Sequence, residues 1–149
     1  MARDDNPAML VGAWRLVSYE LAGNDGRVRR PYGPAPAGLL IYSADGYMSV
    51  AFAQPDRPGF ASGNALHGTA AEWAASAKTY TSYAGRYEVQ GERVLHYLDV
   101  SLYPDWLGTT QERFFTLAGD WLTLRMPPYQ QGGVEWRGTL VWERAGKTV

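Results

Sequence analysis

The sequence predicts an all-β protein, an up-and-down antiparallel barrel of about eight strands with one short helix inserted between the third and fourth strands. Three observations predict it. Residues 84–126 form a train of short alternating runs separated by Gly-containing breaks, the usual hairpin signal. Further strand-like runs flank that train in sequential order, so the last can return to the first and remove the exposed edges. The 149 residues are enough for one domain with a proper core, spanning 1–149, and they show no internal repeat or low-complexity tract.

The elements follow in order. Residues 1–9 read as a flexible tail, polar over 1–7 and without the apolar stretch of a signal peptide. Residues 12–21 alternate as a strand, with Trp14, Leu16 and Ser18 on one face and Arg15, Val17 and Tyr19 on the other. Asn24-Asp25-Gly26 marks a turn. Pro31, Pro34 and Pro36 make 29–37 an extended loop rather than a central strand. Residues 38–42 and 47–53 form the next hairpin about Ser43-Ala44-Asp45-Gly46. Its apolar face is read as Leu39, Ile41, Met48, Val50 and Phe52, with Leu40, Tyr42 and Tyr47 opposite. A Pro-, Gly- and Ser-rich loop covers 54–68. Thr69-Ala70-Ala71-Glu72 then fits a capping box opening an Ala-rich helix over about 73–80. The whole 54–82 connection is long enough to be functional, and its helix is expected to lie over a barrel mouth as a lid or plug. Residues 127–133 read as a loop and 134–144 as the final strand, with Trp136, Gly138, Leu140 and Trp142 inward.

Folding the hairpin train about its turns sets Tyr87 opposite His96, His96 opposite Phe115, and Phe115 opposite Leu124. Cross-strand partners share a face, as do residues two apart. One face then carries Tyr87, Val94, His96, Leu98, Val100, Gln111, Arg113, Phe115 and Leu124. The other carries Arg86, Glu88, Arg93, Asp99, Glu112 and Arg125. The first is the inside. An inside that also holds Tyr87, His96, Gln111 and Arg113 resembles a ligand cavity more than a plain core.

Composition narrows the classes. A net charge of −1 and a pI of about 6.1 argue against nucleic acid or an anionic membrane as partner. No apolar run approaches membrane-spanning length, and a soluble cytoplasmic protein is expected. The absence of cysteine excludes a disulfide frame and a thiol nucleophile. His67 and His96 are the only histidines, so no metal site is expected. Neither a G-x-S-x-G elbow nor a phosphate-cradling Gly loop occurs, and no cofactor is expected. Six Trp and ten Tyr against four Phe suit a partly wet pocket, since these aromatics carry a polar handle.

The two ends carry a resemblance. Gly12-Ala13-Trp14 opens the first strand and Arg144 closes the last. This resembles the lipocalin pattern, in which a G-x-W tryptophan plugs one barrel end beneath an arginine from the final strand. Longer runs are similar to the bacterial and fungal lipocalin-like domain family. They are Trp14-Arg15-Leu16-Val17-Ser18-Tyr19, Pro31-Tyr32-Gly33, Leu40-Ile41-Tyr42, Asp45-Gly46-Tyr47-Met48-Ser49 and Tyr83-Ala84-Gly85-Arg86-Tyr87. His96, Pro104-Asp105-Trp106-Leu107-Gly108, Gln111 and Arg113 complete the set, and the similarity covers nearly the whole chain. It implies a calycin-type barrel with a lumen for small molecules, in contact at one end through Trp14 and Arg144. It implies no single chemistry, because such barrels serve as binders and related ones as cofactor-free cyclases of natural-product pathways.

His96 and Tyr87 are the candidate catalytic pair, since an inward imidazole can exchange a proton near neutral pH. Arg113 needs a partner if it points inward: lumen water, an anionic or carbonyl-bearing ligand, or Glu20. Gln111 can fix a polar ligand atom or tie down Arg113. Phe115, Leu98, Met48, Trp106 and Trp136 complete the candidate ligand-binding set, Trp106 at the rim. The leading reading is a binder of a mid-sized, mostly apolar organic molecule such as a secondary metabolite. A cofactor-free cyclase, isomerase or hydratase, with His96 and Tyr87 moving a proton, is the alternative. A filled structural barrel is the third. The residues set no oligomeric state.

Overall fold

The computed structural model describes residues 7–146. Its strands are β1 (Gly12–Gly23), β2 (Val28–Arg29), β3 (Ala37–Tyr42), β4 (Tyr47–Ala53), β5 (Tyr80–Gln90), β6 (Arg93–Ser101), β7 (Thr110–Ala118), β8 (Trp121–Arg125), β9 (Tyr129–Gln131) and β10 (Val134–Arg144). One α-helix, α1 (Ala70–Lys78), lies between β4 and β5. The strands pair antiparallel in the order β2-β1-β3-β4-β5-β6-β7-β8-β10-β9, and a further β1–β10 pairing closes the ring. Eight strands make the barrel wall, and the short β2 and β9 extend it at one end. The inserted helix follows β4, which is the fourth strand and not the third because the short β2 also counts in chain order. Arg29, read as the start of the loop, instead forms β2 with Val28 and pairs with β1 through Leu21↔Arg29 and Ala22↔Val28. Likewise β9 arises inside the expected 127–133 loop, by pairing with β10.

The end of the barrel at Gly12 is closed by local chemistry. Trp14 is fully buried and donates its indole N–H to the Leu10 carbonyl at 2.9 Å. Arg144, its cross-strand partner, sets its guanidinium 4.1 Å above the Trp14 ring. The same guanidinium donates to the Val11 and Met9 carbonyls at 3.1 and 3.3 Å. Of the 1–9 tail, residues 1–6 lie outside the described residues. Pro7–Met9 is a 3-10 turn whose Met9 packs against the core.

Two bulges steer the inner face. On β1, Leu16 pairs with Trp142 but Ser18 pairs with Val141. Val17 is the extra residue, and beyond it Tyr19 turns inward, opposite to the expected face. On β6, Gly85 pairs with Leu98 but Ala84 pairs with Val100. Asp99 is extra there, and Val100, expected inside, is 65% exposed. A bulge adds one residue and so swaps the faces that follow it.

The β5–β6 and β7–β8 registers match the expectation, with Tyr87↔His96 and Phe115↔Leu124. The β6–β7 register does not: His96 faces Gln111, not Phe115. The ladder ends at Tyr97↔Thr110. The connection beyond it is therefore longer than five residues, and it contains the 3-10 turn Pro104–Trp106. The slip is four residues. An even slip preserves the face, so Tyr87, His96 and Phe115 are all buried.

The β3 face is inverted from the expectation. Leu40 and Tyr42 are buried, while Leu39 and Ile41 are about half exposed. Four consecutive apolar residues carry no period-2 signal. The turn over 43–46 settles the matter by pairing Tyr42 with Met48 and Leu40 with Val50, so that inward Met48 and Val50 bring their partners with them.

Helix α1 begins at the expected capping box: Thr69 Oγ1 accepts from the Glu72 N–H at 3.1 Å, and Glu72 accepts from the Thr69 N–H at 2.9 Å. None of its residues is buried, and only Lys78, in its last turn, borders the barrel cavity. The helix lies beside β5 and borders the mouth without plugging it. Among the described residues no helix is long and apolar enough to cross a membrane.

Gly12 holds φ +128°, and a Cβ there would lie 3.0 Å from an Arg144 guanidinium nitrogen. Gly12→Ala is therefore expected to cost about 1–3 kcal/mol, the usual range for a side chain forced into such backbone. A urea midpoint equal to wild type would show that the closed end does not depend on this approach.

Candidate functional site

The barrel encloses a cavity of about 240 Å³. Its walls include Leu40, Val50, Leu124 and Leu140, with Phe52 and Met126 nearer the mouth. The alternation of β3, β4, β8 and β10 places these apolar side chains there. Polar groups come from Tyr83 on β5, His96 on β6, Arg113 on β7 and Trp142 on β10, and from Tyr19, Tyr32, Lys78 and Thr81. No carboxylate borders the cavity among the described residues.

At the mouth, Tyr19, Tyr32 and Phe52 form a triangle of rings with centroids 5.5–5.9 Å apart. Tyr32 reaches there from the Pro-rich loop, and its hydroxyl meets Thr81 Oγ1 at 2.5 Å. That bond joins the loop to the start of β5. Trp106 borders the cavity from the β6–β7 connection and sits edge-on to Tyr83, centroids 6.2 Å apart.

His96 is 1% exposed and held at both ring nitrogens. Nε2 lies 2.7 Å from the Tyr42 hydroxyl, and Nδ1 lies 2.9 Å from the Tyr83 hydroxyl. Burial pulls its pKa down from 6.5 to about 3, and the Arg113 charge adds to the effect. The imidazole is neutral at physiological pH. Burial raises the hydroxyls of Tyr42 and Tyr83 above their ordinary value, while the charge of Arg113 offsets part of the rise in both.

Arg113 is partly buried. It donates to the Glu112 carbonyl at 2.8 Å and to Gln111 Oε1 at 3.4 Å. No ion pair involves it among the described residues. Glu20, considered as its partner, instead accepts from Arg30 at 3.0 Å on the surface.

The expected site residues divide. His96, Arg113 and Trp106 border the cavity. Gln111 does not, and serves Arg113 and Thr109. Leu98, Met48 and Phe115 are buried in the core behind the lining. Trp136 is buried near the far end of β1, beneath the guanidiniums of Arg27 and Arg29 at 5.2 and 4.5 Å. Tyr87 turns its hydroxyl to the Ser43 carbonyl at 2.8 Å, so it is not the partner of His96. Tyr42 and Tyr83 take that role. Tyr42 was missed because the β3 face was read inverted. Tyr83 was missed because β5 was read as beginning later. The motif Tyr83-Ala84-Gly85-Arg86-Tyr87 contained the signal, since Tyr83 and Tyr87 share parity with Gly85.

A closed antiparallel barrel, plugged at one end by a tryptophan–arginine pair and lined by apolar and phenolic groups, defines a lipocalin-like protein. A family model described as "Lipocalin-like domain" matches residues 11–145, and the chain belongs to that family. One relative is the 4'-hydroxy-3'-methoxypropiophenone carrier protein of Aspergillus oryzae. It is 35% identical, over 65% of this chain and 96% of its own length.

The depressed His96 pKa has a signed consequence. Between about 6.5 and about 3 the unfolded chain takes up a proton that the buried imidazole refuses. Its contribution is fully present above pH 6.5 and is lost as pH falls toward 3, with a slope of up to ~1.4 kcal/mol per pH unit. His96→Gln keeps a donor and an acceptor but does not titrate. Denaturation measured across this window is expected to show a shallower pH slope for the variant than for wild type. Equal slopes would contradict the buried neutral imidazole.

Proposed function

We propose that the protein is a carrier that holds a small, mostly apolar aromatic molecule, such as a phenolic aryl ketone of secondary metabolism, inside its barrel. The observation that carries the reading is the cavity's make-up. Largely apolar walls surround Arg113, a cation with no carboxylate partner among the described residues. A few polar groups within an apolar pocket is the usual composition of a small-molecule site. The volume of about 240 Å³ lies just below the ~300–1,000 Å³ typical of drug-sized ligands, which favours a compact, single-ring molecule. The carrier relative from Aspergillus oryzae, whose printed ligand is such an aryl ketone, supports the same class.

The cofactor-free enzyme is the weaker reading. A general base near neutral pH needs a pKa near the working pH and a free nitrogen. His96 has both nitrogens engaged by tyrosines and a pKa of about 3.

Titration with 4'-hydroxy-3'-methoxypropiophenone, followed by tryptophan fluorescence, is expected to saturate at one ligand per chain, with Kd on the order of micromolar. Arg113→Met keeps the stem and removes the charge. It is expected to weaken binding about 10–100-fold, the worth of a hydrogen bond to a charged group. Because no carboxylate is left unpaired, the thermal midpoint should hold. A fall in the midpoint with unchanged affinity would assign Arg113 a structural role instead. Absence of saturable binding to any small aromatic ligand would remove the carrier reading.

A further inference from the structure

Hydrogen-bond accounting in the core identifies what the cavity offers a ligand. A neutral imidazole has one N–H and one lone pair. His96 therefore donates to one of its two tyrosines and accepts from the other. If Nε2 carried the proton, Tyr42 would accept it and its own hydroxyl proton would need another acceptor. Tyr42 is 1% exposed, and its hydroxyl has no second partner among the described residues. Buried donors left unmatched are rare and costly. The consistent arrangement has Tyr42 donating to Nε2 and Nδ1–H donating to Tyr83. The Tyr83 oxygen then accepts from His96, and its own O–H stays free. Tyr83 borders the cavity.

A second, independent observation points the same way. Among the described residues, the single buried side-chain nitrogen or oxygen without a hydrogen-bond partner is Nε1 of Trp142. Trp142 borders the same cavity. Indole nitrogen can only donate. Arg113 adds a guanidinium, which also only donates; it gives bonds to the Glu112 carbonyl and Gln111 Oε1 and lies within hydrogen-bonding reach of the Tyr83 oxygen, so Arg113 and Tyr83 stand side by side on the cavity wall.

We propose that the lumen is a hydrogen-bond-donor site: the Nδ1–H tautomer of His96 commits Tyr83 as a donor, and Tyr83 and Trp142, with Arg113, grip the ligand through a neutral carbonyl oxygen. This deepens the carrier reading and rests on it. Tyr42 and His96 are positioning residues. Both His96 nitrogens and the Tyr42 hydroxyl are spent within the network, which sets the direction of the Tyr83 proton. Selectivity follows, because a carbonyl matches this wall and an alkyl chain of the same shape leaves its donors unmet.

Two measurements test the proposal. In protein labelled with ¹⁵N-histidine, NMR distinguishes a protonated from an unprotonated ring nitrogen at His96. Protonated Nδ1 is expected, and protonated Nε2 would overturn the proposal. The second measurement compares propiophenone with propylbenzene, which has the same ring and chain without the carbonyl. Tyr83→Phe is expected to weaken propiophenone about 3–10-fold, the worth of one neutral hydrogen bond, and to leave propylbenzene unchanged. Trp142→Phe should act in the same direction, so the test survives if either variant folds poorly in a parallel melt. Equal effects on the two ligands, or none on either, would overturn the donor site and leave the carrier reading standing. Failure of both ligands to bind wild-type protein would overturn the carrier reading and the donor site together.

Discussion

Arg144 reaches across the end of the barrel to the face of Trp14, and in doing so brings the last strand to the first. A cation over an indole contributes about 0.5–2 kcal/mol, more when desolvated. Its larger effect is on register. Trp14↔Arg144 begins a ladder that runs to Gly23↔Trp136 and closes the wall. With that ladder in place, the bulge at Val17 has a fixed position, and Tyr19 turns inward opposite Leu140. The arginine also satisfies the Met9 and Val11 carbonyls where the chain enters the barrel. One end is thereby sealed, and the other is left to loops and the end of α1.

The middle of the barrel carries a different burden. Burying an imidazole and two phenols is unfavourable unless each polar atom is matched. Tyr42, His96 and Tyr83 meet this requirement mostly among themselves, with Tyr42 on β3 joining two residues of the β5–β6 hairpin. Such a chain of bonds is cooperative and fixes geometry better than an apolar core would. Tyr83 carries this chain to the lumen wall, where the Trp142 indole and the Arg113 guanidinium also stand. The network thus stabilises the fold and carries Tyr83 to the cavity wall from β5, while β7 and β10 add Arg113 and Trp142.

Much of this was legible in the sequence where period-2 alternation was clean. Along β5 to β8, charged residues alternate with apolar ones, and the inward placement of His96 and Phe115 follows from it. The capping box at Thr69 and the Trp14–Arg144 contact were equally readable, because short-range spacing determines the first and the resemblance carried the second. The misreadings have physical causes. In β3, Leu39, Leu40, Ile41 and Tyr42 are all apolar, so only the turn over 43–46 could decide the face. Bulges at Val17 and Asp99 leave no compositional trace, yet each reverses the alternation beyond it. The long β6–β7 connection shifted the register by an even number, which kept the face and hid the error. The candidate site suffered most from these effects. Its inward residues were recognised by face, but which of them border the cavity depends on depth along each strand, and alternation does not encode depth.

The six tryptophans are spread so as to report where a ligand sits. Trp106 and Trp142 border the cavity, while Trp14 and Trp136 are buried away from it and Trp73 and Trp121 are about half exposed on the surface. Incorporation of 5-fluorotryptophan gives each a separate ¹⁹F resonance. On titration with 4'-hydroxy-3'-methoxypropiophenone, the Trp106 and Trp142 resonances should shift together and saturate with one Kd, while the other four hold. Saturating shifts at Trp73 or Trp121 with none at Trp142 would place the ligand on the outer surface and contradict a carrier that binds within its barrel.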